Sequence, residues 1–278
     1  MRYLATVSGK KVFERDRFAN SRYITPATAR YWRVELLDEV VSTQLEFSER
    51  LAVTDAHRVV VAEYQSHGRG RFDRTFESRR SLGLTFSLAL LPSRQRSEWS
   101  WLPLLVGSAI AESLNNQLFS AKVIETKWPN DIVDSSGRKF GGILTQLRGD
   151  GVVVGIGINV LEAGDELAVP HAISLAMVSS RVRTGEISRE DILAIILDGI
   201  RQRYEYWVAH GADERELSRY RESSLTLGEN KERLVRCELP GGKVIEGKVQ
   251  DIKSDGHLLV EDDHQLHEIH VGDVIHLR

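Results

Sequence analysis

Cysteine is nearly absent: Cys237 is the single thiol in 278 residues. That excludes an intrachain disulfide and a cysteine metal cage, and it points to a reducing cytoplasm as the compartment. Long apolar runs are missing too. The longest, "WLPLLVGSAIA" and "GVVVGIGINVL", fall short of the ~20 residues that a bilayer span needs, so no membrane partner is expected. The opening "MRYLATVSGKKVFERDRF" lacks the apolar core of a signal peptide. There is no strong charge imbalance: the net charge is −3 and the pI about 6.3. A nucleic-acid partner, whose footprint is a basic domain, is therefore not expected. What is present is ordinary for a globular protein with a real core, 41% hydrophobic and 28% charged residues. The length suits one large domain with a small module.

Residues 1–36 are polar and aromatic without clean periodicity, and they read as an N-terminal extension. From residue 37 to 222 helix and strand signals mix. "WRVELLDEV", "HRVVVAEYQ" and "SLGLTFSLALL" read as strands. "STQLEFSERL" reads as a helix, with Leu45 and Leu51 on one face. "SEWSWLPLLVGSAIAESLNNQL" and the Ser-capped "SREDILAIILDGIRQRYEYWVAHG" read as long helices. The segment from "AKVIETKWPND" to "GIGINV" reads as consecutive strands with turns at "DSSGR" and "RGDG". From 223 to 278 short strands punctuated by "PGG", "SDG", "DDHQ" and "VGD" predict a small β-barrel. The fold class is α+β.

Three stretches bear on chemistry. "HGRGRFDRTF", His67 to Phe76, places arginines on a glycine-rich loop between two strands predicted to be buried. Arginine forks can hold phosphate or carboxylate, and Gly68 and Gly70 admit close backbone approach; the alternative is a solvated basic turn. "TKWPND" holds Lys127 next to Trp128 in an apolar strand, where a lysine wants an anion; the alternative is that Trp128 packs and Asn130 and Asp131 cap a turn. "GIGIN" leaves one strand face bare, open either to a flat ligand or to a packing neighbour. "STQ" at Ser42–Gln44 and the lone Gln65 are weaker signals. The Walker-type G-x-x-x-x-G-K-S/T loop is absent. Five of nine histidines lie in the last 22 residues. His267 and His270, three apart on a strand, face opposite sides, so these histidines read as surface residues and not as a metal site.

Taken together, "AEYQSHGRGRFDR", "KWPND", "KFGGIL" and "GIGINV", in that order, resemble the biotin protein ligase family. The likeness runs from about residue 37 to 278. It implies a mixed-sheet catalytic domain of the kind shared with class II aminoacyl-tRNA synthetases, followed by an SH3-like barrel. It also implies ATP-dependent formation of biotinyl-5′-AMP, then transfer of biotin to a lysine of the carrier domain of an acetyl-CoA, other acyl-CoA or pyruvate carboxylase. Mg²⁺ would ride on the ATP phosphates. Ser42, Thr43, Gln44 and Gln65 would line the biotin pocket. Arg69, Gly70 and Arg71 would cover biotin and its phosphate. Lys127 would neutralise the carboxylate and α-phosphate, and Lys127 and Arg71 are the implied catalytic pair. Arg74, Phe76, Asn130, Asp131 and Asn159 would meet the nucleotide, with Phe76 near the adenine. Gln44, His67, Asp73 and Phe76 depart from the family pattern. With only about 36 residues before the catalytic region, a ligase without repressor function is implied; the oligomeric state stays open, a homodimer included. Two rivals remain: a lipoate or octanoyl transferase on a similar fold, and a non-catalytic ligand-binding regulator.

Overall fold

The computed structural model describes residues 12–72, 74–77, 79–169, 171–227, 233–263 and 265–277. Asp73, His264 and the first eleven residues lie outside these.

Leu84–Leu90 (β3) is buried at every position, so both faces of its sheet must be covered. It lies inside a seven-stranded mixed sheet. The other strands are Arg33–Val40 (β1), Arg58–Gln65 (β2), Glu125–Lys127 (β4), Asp131–Val133 (β5), Lys139–Arg148 (β6) and Gly151–Ile158 (β7). Their order is β1-β2-β3-β7-β6-β5-β4. Only β1 and β2 run parallel; the remaining pairs are antiparallel. Alternation sorts the side chains. Val59, Val61, Leu88 and Leu90 join the main core, while Val60, Ala89 and Val153 meet Phe47 and Leu51 on the other face.

The helices supply the main cover. Arg15–Ala19 (α1) and Pro26–Tyr31 (α2) precede β1, and Leu102–Leu118 (α3) follows β3. After β7 come Leu175–Val178 (α4), Ser180–Arg183 (α5), Arg189–His210 (α6) and Glu214–Ser223 (α7). α3 packs on α6. Helix α6 starts where it does because Ser188 and Asp191 form a capping box, at 3.2 and 3.0 Å. It ends at Gly211, whose φ of +74° breaks the helical run. α1 and α2 lie against α6, and Trp32 Nε1 donates to Leu197 O at 2.9 Å. The described part of the N-terminal segment is thus built into the main core.

One expected helix is not there. Of "STQLEFSERL" only Thr43–Glu46 turns, as a single 3₁₀ turn, and Leu45 is 40% exposed. The hydrogen bonds of Thr43 and Gln44 to residues far along the chain (below) turn these polar side chains inward and override the local helix preference.

A buried ion pair ties α6 to the sheet. Arg189 Nη2 donates to both Glu63 oxygens at 3.0 and 3.1 Å, and Ser81 Oγ donates to Glu63 at 2.9 Å. Both charged side chains are under 5% exposed. Breaking such a pair leaves a buried charge without a partner. Arg189→Met should therefore lower the unfolding free energy by about 3–5 kcal/mol, read as a lower urea midpoint.

The C-terminal strands, Leu234–Glu238 (β8), Val244–Ile252 (β9), Leu258–Glu261 (β10), Leu266–Ile269 (β11) and Asp273–His276 (β12), form a separate antiparallel sheet in the order β11-β10-β9-β8-β12. It is seated on the larger sheet. Trp128 Nε1 donates to Gly256 O at 3.0 Å, and Ser100 Oγ donates to Asp255 O at 2.6 Å. No described helix is long and apolar enough to cross a membrane.

Candidate active site

The strands β2, β6 and β7 and the loop after β2 enclose a cleft of about 370 Å³, within the range of small-ligand sites. Its inner wall is neutral and hydrogen-bonding. Gln65 Oε1 accepts from Thr43 N at 2.8 Å and from Thr43 Oγ1 at 3.1 Å, and Thr43 Oγ1 meets Ser87 Oγ at 2.7 Å. Gln44 Nε2 donates to Leu144 O at 2.7 Å. Ser42 is buried and lines the same wall. Its hydroxyl has no hydrogen-bond partner among the described residues, which leaves it free for a ligand.

The bare face of "GIGIN" is occupied from within the chain. A methyl group on Gly157 would stand 2.3 Å from the Phe76 ring, and one on Gly155 2.8 Å from Gln44 Nε2. The missing side chains let the tip of the Phe76 ring and the Gln44 amide approach β7 closely and form the floor. Phe76 and Gln44 also line the cleft, so the packing neighbour of this motif is itself part of the cleft wall.

The arginine loop closes over the mouth. Its neck is pinned by Phe76 N to Gly68 O at 2.9 Å and Gly70 N to Arg74 O at 2.7 Å. Phe72 sits in the left-handed region, φ 53°. Arg69, Gly70, Arg71 and Arg74 all line the cleft, with Arg71 half-buried and Arg74 65% exposed. Arg71 Nη1 donates to Asn130 Oδ1 and to Gly272 O, both at 3.2 Å, and to Asp273 Oδ1 at 3.4 Å. Arg74 also donates to Asp273. Burial pulls the Arg71 guanidinium below its usual pKa, while Asp273 and Asp131 act the other way.

The far side is a second cationic group. Asp131 Oδ1 pairs with Lys139 at 2.5 Å. Asn130 Nδ2 donates to Ile143 O at 2.7 Å, which sets its oxygen toward Arg71. Asn159 lines the cleft but spends its amide on Lys139 O and Ile173 O, at 3.3 and 3.2 Å. Lys127 does not line the cleft. It borders it, half-buried, within the electrostatic reach of Asp131, Lys139 and Asp273. Burial lowers its ammonium pKa first; Asp131 raises it. Among the described residues no carboxylate lies within ion-pair distance of Lys127, so its charge is free for an incoming anion.

Two side chains were missed from the sequence. Lys139 stands in "KFGGIL", where the glycines drew attention and the lysine did not. Asp273 lies in "VGD", which carries only a turn signal some 200 residues from the loop it grips. Nothing local to Asp273 marks it. The same end of the C-terminal sheet reaches "KWPND" a second way. Trp128 N donates to Thr226 Oγ1 at 3.2 Å, which meets His276 Nε2 at 3.1 Å. Burial, with Lys127 and Arg233 nearby, pushes the His276 pKa down to about 3, so this ring is a neutral link.

Comparison with known proteins agrees with this geometry. Residues 37–161 match the model of the biotin/lipoate A/B protein ligase family, and residues 232–277 match that of the biotin protein ligase C-terminal domain. A biotin–[acetyl-CoA-carboxylase] ligase of Mycobacterium tuberculosis is 32% identical over 253 residues, 89% of this chain and 90% of that one. The bifunctional ligase/repressor BirA of Bacillus spizizenii is 30% identical over 86% of this chain and 73% of its own length. Among solved structures, a biotin protein ligase from Aquifex aeolicus in complex with biotin and ATP superposes with a TM-score of 0.73. It is 27% identical over 88% of this chain and 99% of that chain.

Proposed function

Since the chain belongs to the biotin protein ligase family, we propose that this cleft joins biotin to ATP and hands the product to a lysine of a carboxylase's biotin carrier domain. The observation that carries the reading is the division of the cleft. A neutral hydrogen-bonding wall faces cations drawn from two separate segments, the loop (Arg69, Arg71, Arg74) and strand β6 (Lys139), with Lys127 of β4 at the border. A ureido ring suits the first, through Ser42, Thr43, Gln44 and Gln65. Two anions that must meet suit the second.

In the first step a carboxylate oxygen of biotin attacks the α-phosphorus. The bond to the β-phosphate oxygen breaks and pyrophosphate leaves. The protein supplies no covalent chemistry here; it positions the reactants and stabilises charge. Lys127 would bring a compact charge between carboxylate and α-phosphate. Arg71 would leave Asp273 and Asn130 to cover the phosphate of the intermediate, and Arg74 would meet the outgoing phosphates. The Phe76 ring, whose tip packs against Gly157, would offer a face for adenine; Asn130, Asp131 and Asn159 would stand on the nucleotide side. In the second step the carrier amine attacks the acyl carbon, the carbon–oxygen bond to phosphate breaks, and AMP leaves. Mg²⁺ enters as part of the nucleotide substrate: the carboxylates Asp131 and Asp273 are already paired with cations, and this ion commonly binds through phosphates and water. A reducing cytoplasm, shared with the carrier, fits the lone buried Cys237.

Pyrophosphate release that requires both biotin and ATP tests this reading; release with lipoate in place of biotin would redirect it. The loop gives a second expected outcome. Arg71 and Arg74 share the single carboxylate of Asp273, so a bound phosphate adds a further anion to hold the loop, and tryptic cleavage at Arg69–Arg80 should slow several-fold when biotin and ATP are added. Equal cleavage with and without them contradicts a ligand-ordered loop.

A further inference from the structure

The outer face of the C-terminal sheet gathers a second set of functional groups, far from any role in the cleft. β10 and β11 pair antiparallel with Leu258 opposite Ile269 and Leu259 opposite Glu268. Leu258 and Ile269 point into the core, 0% and 1% exposed. Strand alternation then sends their neighbours outward. One step past the ladder His257 meets His270 as a cross-strand pair, with ring centroids 3.8 Å apart. Glu268, two residues before His270, shares that face. His257 Nδ1 lies 2.8 Å from Glu268 Oε1, and His270 Nε2 lies 3.8 Å from the same oxygen. The outward face thus carries two imidazoles and a carboxylate whose ligand atoms all lie within 4.8 Å of one another. His267 points to the other side, where it pairs with Asp262 at 2.6 Å. His267 and His270 thus face opposite sides, as their spacing requires, and β10 brings His270 its partner His257.

We propose that His257, Glu268 and His270 bind one divalent transition-metal ion of the zinc class. Zinc–ligand distances of about 2.0–2.2 Å place tetrahedral ligand atoms roughly 3.4 Å apart, so the three groups need to close by about 1 Å. His270, 62% exposed, is free to make that movement. Imidazole ligands favour zinc, nickel and copper over Mg²⁺ or Ca²⁺. The group that now competes for the position is Lys253, whose Nζ lies 2.8 Å from Glu268 Oε1. The ion would also stiffen the turn that seats this sheet on the larger one. Lys253–His257 closes that turn, and Ser100 and Trp128 bond to its Asp255 and Gly256 carbonyls.

Zn²⁺ titration of the full chain, without nucleotide and against a chromophoric chelator, tests the proposal. One ion per chain is expected, and millimolar Mg²⁺ should not displace it. His257→Ala and His270→Ala should each weaken binding by more than about tenfold, while His267→Ala should leave it unchanged. Lys253→Met should tighten binding, because it removes the competing cation; a merely structural ion-pair cluster would not respond in this way. His270 is exposed enough that its replacement leaves the fold intact, which circular dichroism checks. The proposal is overturned if the native chain fails to compete with the chelator, or if His270→Ala binds Zn²⁺ as tightly as the native chain.

Discussion

Lys127→Ala should all but stop adenylate formation, with pyrophosphate release from ATP and biotin falling by about 10²–10³-fold. The reason lies in how the cations are committed. The charge of Lys139 is already met by Asp131 at 2.5 Å, and Arg71 and Arg74 share Asp273. Lys127 is half-buried and has no ion-pair partner among the described residues. A cation in a low-dielectric position stabilises developing negative charge more than an exposed one does. Arg71→Gly should fail differently. It removes the lid contact and not the central charge, so biotinyl-AMP is still made but escapes early. Losing one charged hydrogen-bond partner costs about 1.5–3 kcal/mol, enough for more than a tenfold faster release. The freed anhydride then labels lysines of a bystander such as albumin. Pyrophosphate and albumin biotinylation, measured for each variant, separate the two roles. If Lys127→Ala makes adenylate at the native rate, or Arg71→Gly gives neither product, this division of labour is wrong.

Gly68→Ala should open the arginine loop without unfolding the protein. A methyl group there would stand 2.1 Å from Phe76 O and 3.0 Å from Gln65 Nε2. A backbone oxygen cannot turn aside as a flexible side chain can, so the neck of the loop has to part. That breaks the Phe76 N to Gly68 O bond and lifts the aromatic ring away from Gly157. Overpacking of this kind costs about 1–3 kcal/mol. Here the cost falls on ligand binding, because both sheets close without the loop. Biotin affinity by calorimetry should drop about tenfold, with a melting temperature within a few degrees of native. Gly164→Ala, where the added methyl meets nothing within 4 Å, is the matched control and should change neither. Native biotin affinity in Gly68→Ala would show that the loop neck is not part of the binding apparatus.

The strands and long helices were legible because their signals are local. β1, β2 and β3 start and stop within a few residues of the apolar runs, and α6 is framed by its Ser188 cap and Gly211. The glycine-arginine loop and "KWPND" were legible as motifs because unusual residue types stand close together. What escaped was set by distance in the chain. The Ser42–Gln44 turn takes its form from Gln65, Ser87 and Leu144, none of them nearby in sequence. Asp273 has no signal of its own, yet it holds two arginines of the loop. Lys127, which the resemblance sets against the carboxylate and α-phosphate, stands at the border of the cleft, because β4 and β5 pair Lys127 with Asp131 at the sheet edge. The contact between His257 and His270 depends on strand register, which period-two reading within one strand cannot supply.

In the function proposed for this cleft, the neutral wall and the two cationic groups serve one reaction, the transfer of biotin to a carrier lysine. Its most direct test is the mass of a biotin carboxyl carrier domain after incubation with this protein, biotin, ATP and Mg²⁺. A single biotinyl addition on one lysine is expected, absent without ATP and absent with lipoate in place of biotin. A carrier that stays unmodified while the protein binds biotin, or one that takes lipoate instead, would contradict it.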